Sequence, residues 1–205
     1  MIEFPDPSLA NEDGLLAVGG NLEPATLLAA YAKGVFPWFS EDSPILWWSP
    51  DPRMVLFPDQ FYCSTRLGRR LRQPQYRFTW DEAFGEVIRT CAAIPRGGEN
   101  GTWILPEMLD AYLKLHELGH AHSVEVWEGD ELIGGLYGVL LNGVFFAESM
   151  FSCKTDGSKM ALAKLVERAK EGGWKLIDCQ FHTGHLESLG AKEISREVFL
   201  LAISS

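Results

Sequence analysis

Four groups of side chains in this sequence have types and spacings that could do chemistry. Asp178 and Gln180 lie two apart in the apolar run WKLIDCQF. Residues two apart in a strand point to one face, so a carboxylate and an amide are expected side by side. They form either a satisfied polar pair or part of a reactive site. Glu148 interrupts a second apolar run, FFAESMF, where alternation predicts a face shared with Phe146 and Met150. A carboxylate there is costly unless paired, which makes it either a structural ion-pair member or a binding group. His116-Glu117-Leu118-Gly119-His120 has the H-E-x-x-H spacing that places two zinc ligands and a general base on one helix. That geometry needs a helix running through both histidines, yet the helical pattern stops at Gly119, a good C-terminal residue. Both histidines are therefore expected to be structural, near a helix C-terminus whose dipole favours them, and no metal is expected. Finally, the stretch from Gln60 to Thr79 has no acidic residue and holds Arg66, Arg69, Arg70, Arg72 and Arg77. It reads either as a phosphate-binding patch or as a solvated face.

The composition bounds what these groups can serve. The chain has 205 residues and is 46% hydrophobic and 12% aromatic, as expected of a globular protein able to bury a full core. Its net charge of −10 excludes generic nucleic-acid binding and leaves room only for a partner that docks at one basic place. The N-terminus MIEFPDPSLANEDG has no basic start and no long apolar run, so no signal peptide is expected. No stretch approaches the ~18 consecutive apolar residues of a membrane span, so no membrane partner is expected. Cys63, Cys91, Cys153 and Cys179 lie far apart without a C-x-x-C pair and are expected to be free thiols in the cytoplasm.

The elements that must position these residues fall into two parts. Up to about residue 60 the chain is rich in Pro and Gly, with one helical run, EPATLLAAYAKG, that Gly34 should end. This predicts a small loop-rich N-terminal α+β domain over residues 1–60 and a main domain over 61–205. Thr79 and Glu82 have capping-box spacing ahead of a helix with Phe84, Val87, Ile88 and Cys91 on one face. Pro106 starts a second helix. Three strands should follow, with turns at Gly129–Asp130 and Asn142–Gly143. Asp156 or Ser158 should cap a third helix that turns Leu162, Leu165, Val166 and Ala169 inward. WKLIDCQF should be a strand buried on both faces, and HLESLGAKEI a short helix or turn and then a strand. This order predicts an α/β fold that resembles the acetyltransferase-like (GNAT-like) fold. An acetyl-CoA-dependent acetyltransferase is disfavoured, because the glycine-rich cradle that grips the pyrophosphate is reduced to Gly157 in FSCKTDGSK.

The strings GVFPWF, WWSPDPR, GTWI, HELGHAHSVEVW, FFAESMFS and LIDCQ span the chain from the N-terminal part to the last long strand. Together they resemble the leucyl/phenylalanyl-tRNA–protein transferase family. The resemblance implies aminoacyl transfer from Leu-tRNA or Phe-tRNA, and less so from Met-tRNA, to the N-terminal α-amine of proteins beginning with Arg or Lys. The product is marked for N-end rule degradation. No cofactor is implied, and a monomer is expected.

It also implies roles for residues. Asp178 would polarise Gln180, which helps take the amine's proton. A Gln is a very poor base by pKa, so an orienting or hydrogen-bonding role is expected instead, and the terminal ribose hydroxyl is a second path for the proton. Glu148 would receive the acceptor's Arg or Lys side chain, or hold the amine. Phe146 would lie beside the substrate, and Leu136, Met150 and Ile177 would line an apolar pocket for the donor side chain. Met suits a pocket that accepts more than one shape. Trp38 would stack on the terminal adenine, Trp103 would donate its N–H at the site, and Arg69, Arg70 and Arg72 would contact acceptor-stem phosphates. A non-catalytic module that binds the tRNA end is the alternative.

Overall fold

The computed structural model describes residues 3–94 and 104–204. Near the N-terminus, strands β1 (Leu15–Val18), β2 (Phe36–Pro37) and β3 (Leu46–Trp48) form a small antiparallel sheet in the order β1-β3-β2. Helix α1 (Pro24–Ala32) connects the first two strands. Pro24 sits in its first turn, where a missing N–H costs nothing, and Gly34 follows its end at φ +71°.

The remaining strands are β4 (Arg53–Leu56), β5 (Tyr76–Trp80), β6 (Ala121–Glu128), β7 (Glu131–Leu141), β8 (Val144–Ser152), β9 (Leu176–Gln180) and β10 (Lys192–Ile194). They make one seven-stranded sheet in the order β10-β4-β9-β8-β7-β6-β5. Every neighbouring pair is antiparallel except β8 and β9. The fold is thus α/β: a meander whose last strand joins β9 in parallel through a crossover helix, the acetyltransferase-like order expected above. β4 precedes residue 60 and is nevertheless an inner strand of this sheet.

Helices α2 (Thr65–Leu71), α3 (Phe84–Ala93), α4 (Pro106–Glu117), α5 (Gly157–Glu171), α6 (Gly184–Glu187) and α7 (Arg196–Ser204) complete the described chain. Side chains from α1, α3, α4 and α7, among them Tyr31, Phe84, Tyr112 and Phe199, pack with Tyr137, Val144, Phe146 and Leu176 in one apolar cluster. α2 and α5 pack with Val124, Leu136, Phe145 and Ile177 in a second. Phe145 and Phe146, and likewise Leu176 and Ile177, fall in different clusters, as strand alternation requires of the two faces of one sheet.

Two local expectations fail for identifiable reasons. The Thr79–Glu82 capping box does not form, because Thr79 lies in β5 and its Oγ1 donates to Glu125 Oε2 at 2.6 Å. Strand pairing with β6 claims the residues that a cap would need. In addition α7, which buries Phe199 completely, extends the chain as a helix where no element was anticipated.

α5 is seated against β7 through glycine. A Cβ on Gly134 would lie 2.5 Å from the backbone of Gly157 at the start of the helix. Gly134→Ala is therefore expected to push α5 off the sheet and to destabilise by about 1–3 kcal/mol. Urea unfolding measures this as a lower midpoint with an unchanged m-value. An unchanged midpoint would mean that the close approach is not a constraint.

Candidate functional site

β8 carries an irregularity that decides where its side chains point. Tyr137 of β7 pairs with Ser149 and the next residue, Gly138, pairs with Ala147, so Glu148 is an extra residue in the ladder. Such a bulge resets the alternation and re-aims a side chain. Phe146 and Glu148 both point into the cluster formed with α1 and α4, whereas Met150 pairs with Leu136 and packs with it on the α5 side. The expected face shared by Phe146, Glu148 and Met150 is therefore broken after Glu148.

Glu148 is buried among hydroxyl groups. Tyr31 donates to its Oε1 at 2.7 Å and Tyr112 to its Oε2 at 2.9 Å, while the two phenol oxygens also contact each other. Burial pushes Glu148 up to about 7, against the lowering effect of the two tyrosine hydrogen bonds. Burial, followed by the charge of Glu148, also holds both phenols above the usual tyrosine range.

Asp178 has the opposite environment. It is fully buried, and Arg53, equally buried, grips it with two arms, Nε to Oδ1 at 2.8 Å and Nη2 to Oδ2 at 2.6 Å. Oδ1 also accepts from the backbone N–H of Gln180 at 3.0 Å. Gln180 ends β9 in a left-handed conformation, φ +61°, and its Nε2 donates to Glu148 Oε1 at 3.1 Å. Asp178 and Gln180 do face the same side. The parallel ladder between β8 and β9 runs only from Val144↔Leu176 to Phe146↔Asp178, so this amide–carboxyl bond spans the place where the strands part.

An aromatic rim follows directly. Phe181 meets the ring of Trp38 at 5.4 Å and that of Phe36 at 5.6 Å, and Trp38 also meets Trp48 at 5.7 Å. Trp38 is 43% exposed and is steadied through its carbonyl, which accepts from Trp48 Nε1 at 2.6 Å.

A family profile described as leucyl/phenylalanyl-tRNA protein transferase matches residues 55–204, and one for that family's N-terminal domain matches residues 20–51. A leucyl/phenylalanyl-tRNA–protein transferase of Anaeromyxobacter sp. (strain Fw109-5) is 57% identical over 97% of this chain and 85% of its own length. The protein of the same name from Stutzerimonas stutzeri (strain A1501) is 54% identical over 99% of this chain and 90% of its own. The chain belongs to the leucyl/phenylalanyl-tRNA–protein transferase family. A solved GCN5-related N-acetyltransferase from Kribbella flavida is similar at 10% identity and a TM-score of 0.45, over 84% of this chain and 61% of its own.

In this transferase the other expected site residues are distributed as follows. Leu136 and Ile177 are buried and Met150 half-buried, all three in the cluster under α5, across the sheet from Glu148. Phe146 is buried against the ring of Tyr31, with centroids 4.9 Å apart. Trp103 lies outside the described residues. The arginines divide in two. Arg70 donates to the Thr155 carbonyl at 2.6 Å and pairs with Asp156 at 3.4 Å, and Arg66 pairs with Asp156 at 3.6 Å, so these two hold α2 against the start of α5. Arg69 and Arg72 are exposed.

The glycine-rich cradle expected to be missing would lie at the start of α5, which Gly157 opens. Here Ser152 Oγ accepts from the N–H of Ser158 at 2.7 Å, and the Asp156 carboxylate sits beside it. That N–H is therefore not free for an anion, and Asp156 is paired with Arg66 and Arg70. As for the H-E-x-x-H string, α4 ends at Glu117 and Gly119 turns the chain at φ +79°, so His120 leaves the helix. His116 stacks on Phe84 at 4.2 Å and donates to the Ala121 carbonyl, while His122 pairs with Asp81 at 2.6 Å.

Arg53, Tyr31, Tyr112 and Phe181 were not read as site residues. One signal was available for Arg53, a lone arginine opening the wholly apolar run MVLF. The tyrosines carried none, because each looked like an ordinary inward residue of an amphipathic helix.

The Glu148 environment has a measurable consequence. Its carboxyl is raised from 4.5 to about 7, so the folded state holds this proton more tightly than the unfolded state does. That contribution to stability is complete below pH 4.5 and is lost as pH rises through about 7. Compared with Glu148→Gln, which stays neutral, the unmodified protein is expected to lose on the order of 3 kcal/mol across this window. Urea titrations of both proteins from pH 4 to 8 check it, and parallel pH curves would refute a buried titrating carboxyl.

Proposed function

We propose that this chain transfers Leu or Phe, and less so Met, from aminoacyl-tRNA to the N-terminal α-amine of proteins beginning with Arg or Lys. The product is marked for N-end rule degradation in the cytoplasm. Family membership supports aminoacyl transfer from tRNA to protein. The observation that carries the chemistry is Glu148, a buried carboxyl near 7, hydrogen-bonded to Gln180 where β8 and β9 part.

The reaction needs little beyond placement and one proton path. The α-amine nitrogen attacks the ester carbonyl carbon, a C–N bond forms, and the bond from that carbon to the ribose oxygen breaks. The amine's proton must end on that oxygen. An ester is already activated, so positioning supplies much of the rate. A carboxyl near 7 is well matched to an α-amine, whose ordinary value is about 8. Glu148 in its ionised form takes the proton as the C–N bond forms and returns it to the leaving oxygen. Gln180 points its amide N–H at Glu148, which leaves its amide oxygen to accept from the attacking amine.

Trp38 supplies the platform for the terminal adenine, and Trp103 donates its N–H to the substrate. Leu136, Met150 and Ile177, across the sheet from Glu148, hold a donor side chain that enters where β8 and β9 part, and Phe146 lies on the Glu148 side of the substrate. Arg69 and Arg72, the arginines not committed to α5, contact phosphates of the acceptor stem. Arg70 contributes by docking the helix that carries them. We place the division between the two domains before Arg53, since β4 belongs to the large sheet. The chain acts as a monomer without a cofactor.

A transfer assay tests this reading. Radiolabelled Leu-tRNA or Phe-tRNA is mixed with the protein and a peptide beginning with Arg or, as control, Gly. Label is expected on the Arg-leading peptide alone, and Glu148→Gln should lose at least tenfold in kcat, within the range that general base catalysis spans. RNA binding without transfer to either peptide would replace the enzyme with a non-catalytic tRNA-end binding module. Trp38→Ala should raise KM for the aminoacyl-tRNA roughly 5- to 150-fold, the equivalent of losing one stacked base. An unchanged KM removes Trp38 from the adenine site.

A further inference from the structure

Arg53 is one of the largest fully buried side chains, and its surroundings do not read as a device for stability. A buried ion pair costs more desolvation than a well-packed apolar pair of similar volume. This one also leaves Nη1 buried with no hydrogen-bond partner among the described residues, which adds a further cost. The guanidinium carbon sits over the ring of Phe36 at 4.7 Å and over that of Phe199 at 4.5 Å. Its planar group is thus held between the small N-terminal sheet on one side and α7 on the other, while its two remaining arms reach β9.

What it grips leads to the reacting groups. The Asp178 carboxylate receives three donors, two from Arg53 and one from the Gln180 N–H. That last bond holds Gln180 in its left-handed conformation, which non-glycine residues adopt only when their surroundings impose it. The side chain of Gln180 then meets Glu148. We propose that Arg53 is a positioning residue for aminoacyl transfer: through a two-armed grip on Asp178 it fixes Gln180, and Gln180 fixes Glu148. Asp178 is accordingly a counter-ion and an anchor, and takes no proton during the reaction. This inference rests on the transferase reading of the site given above.

The groups facing Glu148 are Tyr31 of α1, Tyr112 of α4 and Gln180 of β9, with Asp178 and Arg53 acting on it through space and Tyr137 next to Tyr112. Asp178 raises the Glu148 carboxyl and Arg53 lowers it. The two charges therefore leave opposite signatures when removed.

The test compares unmodified protein, Arg53→Lys, Arg53→Gln and Asp178→Asn. It measures transfer kinetics across pH and the titration of the Glu148 side-chain carboxyl by carbon-13 NMR. Lys keeps the charge but cannot reproduce a two-armed planar grip. Arg53→Lys is expected to lower kcat by ten- to a hundredfold, the scale of a misplacement near 1 Å, with KM for aminoacyl-tRNA within about twofold. The NMR titration midpoint should move up in Arg53→Gln and down in Asp178→Asn. If Arg53→Gln fails to fold, Arg53→Lys and Asp178→Asn still decide the matter. A folded Arg53→Lys protein with unchanged kcat and an unchanged Glu148 titration overturns the proposal. If the unmodified protein transfers nothing to any peptide, the transferase reading fails by itself. The NMR midpoints then still report whether Arg53 and Asp178 set the state of Glu148.

Discussion

The architecture of the site depends on one interaction, the buried pair between Arg53 and Asp178. Each partner is fully removed from water, so removing either leaves a bare charge in the interior, at a cost of about 3–5 kcal/mol. The fold meets this constraint with geometry. β4 inserts beside β9, so that an arginine at its start reaches a carboxylate in the middle of its neighbour. Two aromatic rings from otherwise separate parts of the chain close over the guanidinium faces, where a delocalised cation is well accommodated. Phe36 then touches Phe181, and Phe181 touches Trp38, so the exposed rim is tied to the same buried charge.

The second carboxyl shows what the first one's partner achieves. Glu148 and Asp178 occupy one face of adjoining strands and are connected through a single glutamine. Asp178 is gripped by an arginine. Glu148 has only neutral donors, and burial moves it to about 7. Two carboxyls in such different surroundings invite different roles.

Much of this was legible from residue types, and the exceptions have physical causes. The meander and its Asn142–Gly143 turn follow from local chemistry, because a two-residue hairpin demands the left-handed conformations that Asn and Gly tolerate. Asp178 and Gln180 share a face even though β9 opposes β4 with an extra residue at Cys179 and Gln180 is left-handed. Met150 departs from its expected face because the bulge at Glu148 adds one residue, and period-two reasoning cannot detect an insertion that its own pattern does not mark. β5 was hidden behind a plausible capping box, since a cap is a local signal and strand pairing with β6 is not. Arg53, Tyr31 and Tyr112 meet Asp178 and Glu148 across 125, 117 and 36 residues of chain, so only the folded topology brings them together.

The same logic explains how an acidic protein can present one place to a polyanion. At a net charge of −10 the molecule repels RNA at distances where its charges act together. Within a Debye length of about 8 Å at physiological salt only local groups matter, and there α2 differs from the rest of the surface. Arg66 and Arg70 share the single Asp156 carboxylate at the start of α5, which orients the helix, and Arg69 and Arg72 are exposed. At the start of α5 the Ser158 N–H is already taken by Ser152 Oγ, and α2 is docked beside it through the Arg70 bond to the Thr155 carbonyl. On the proposed function, the bound phosphates meet α2 and not the N-terminus of α5, which leaves the opening between β8 and β9 to the aminoacyl ester.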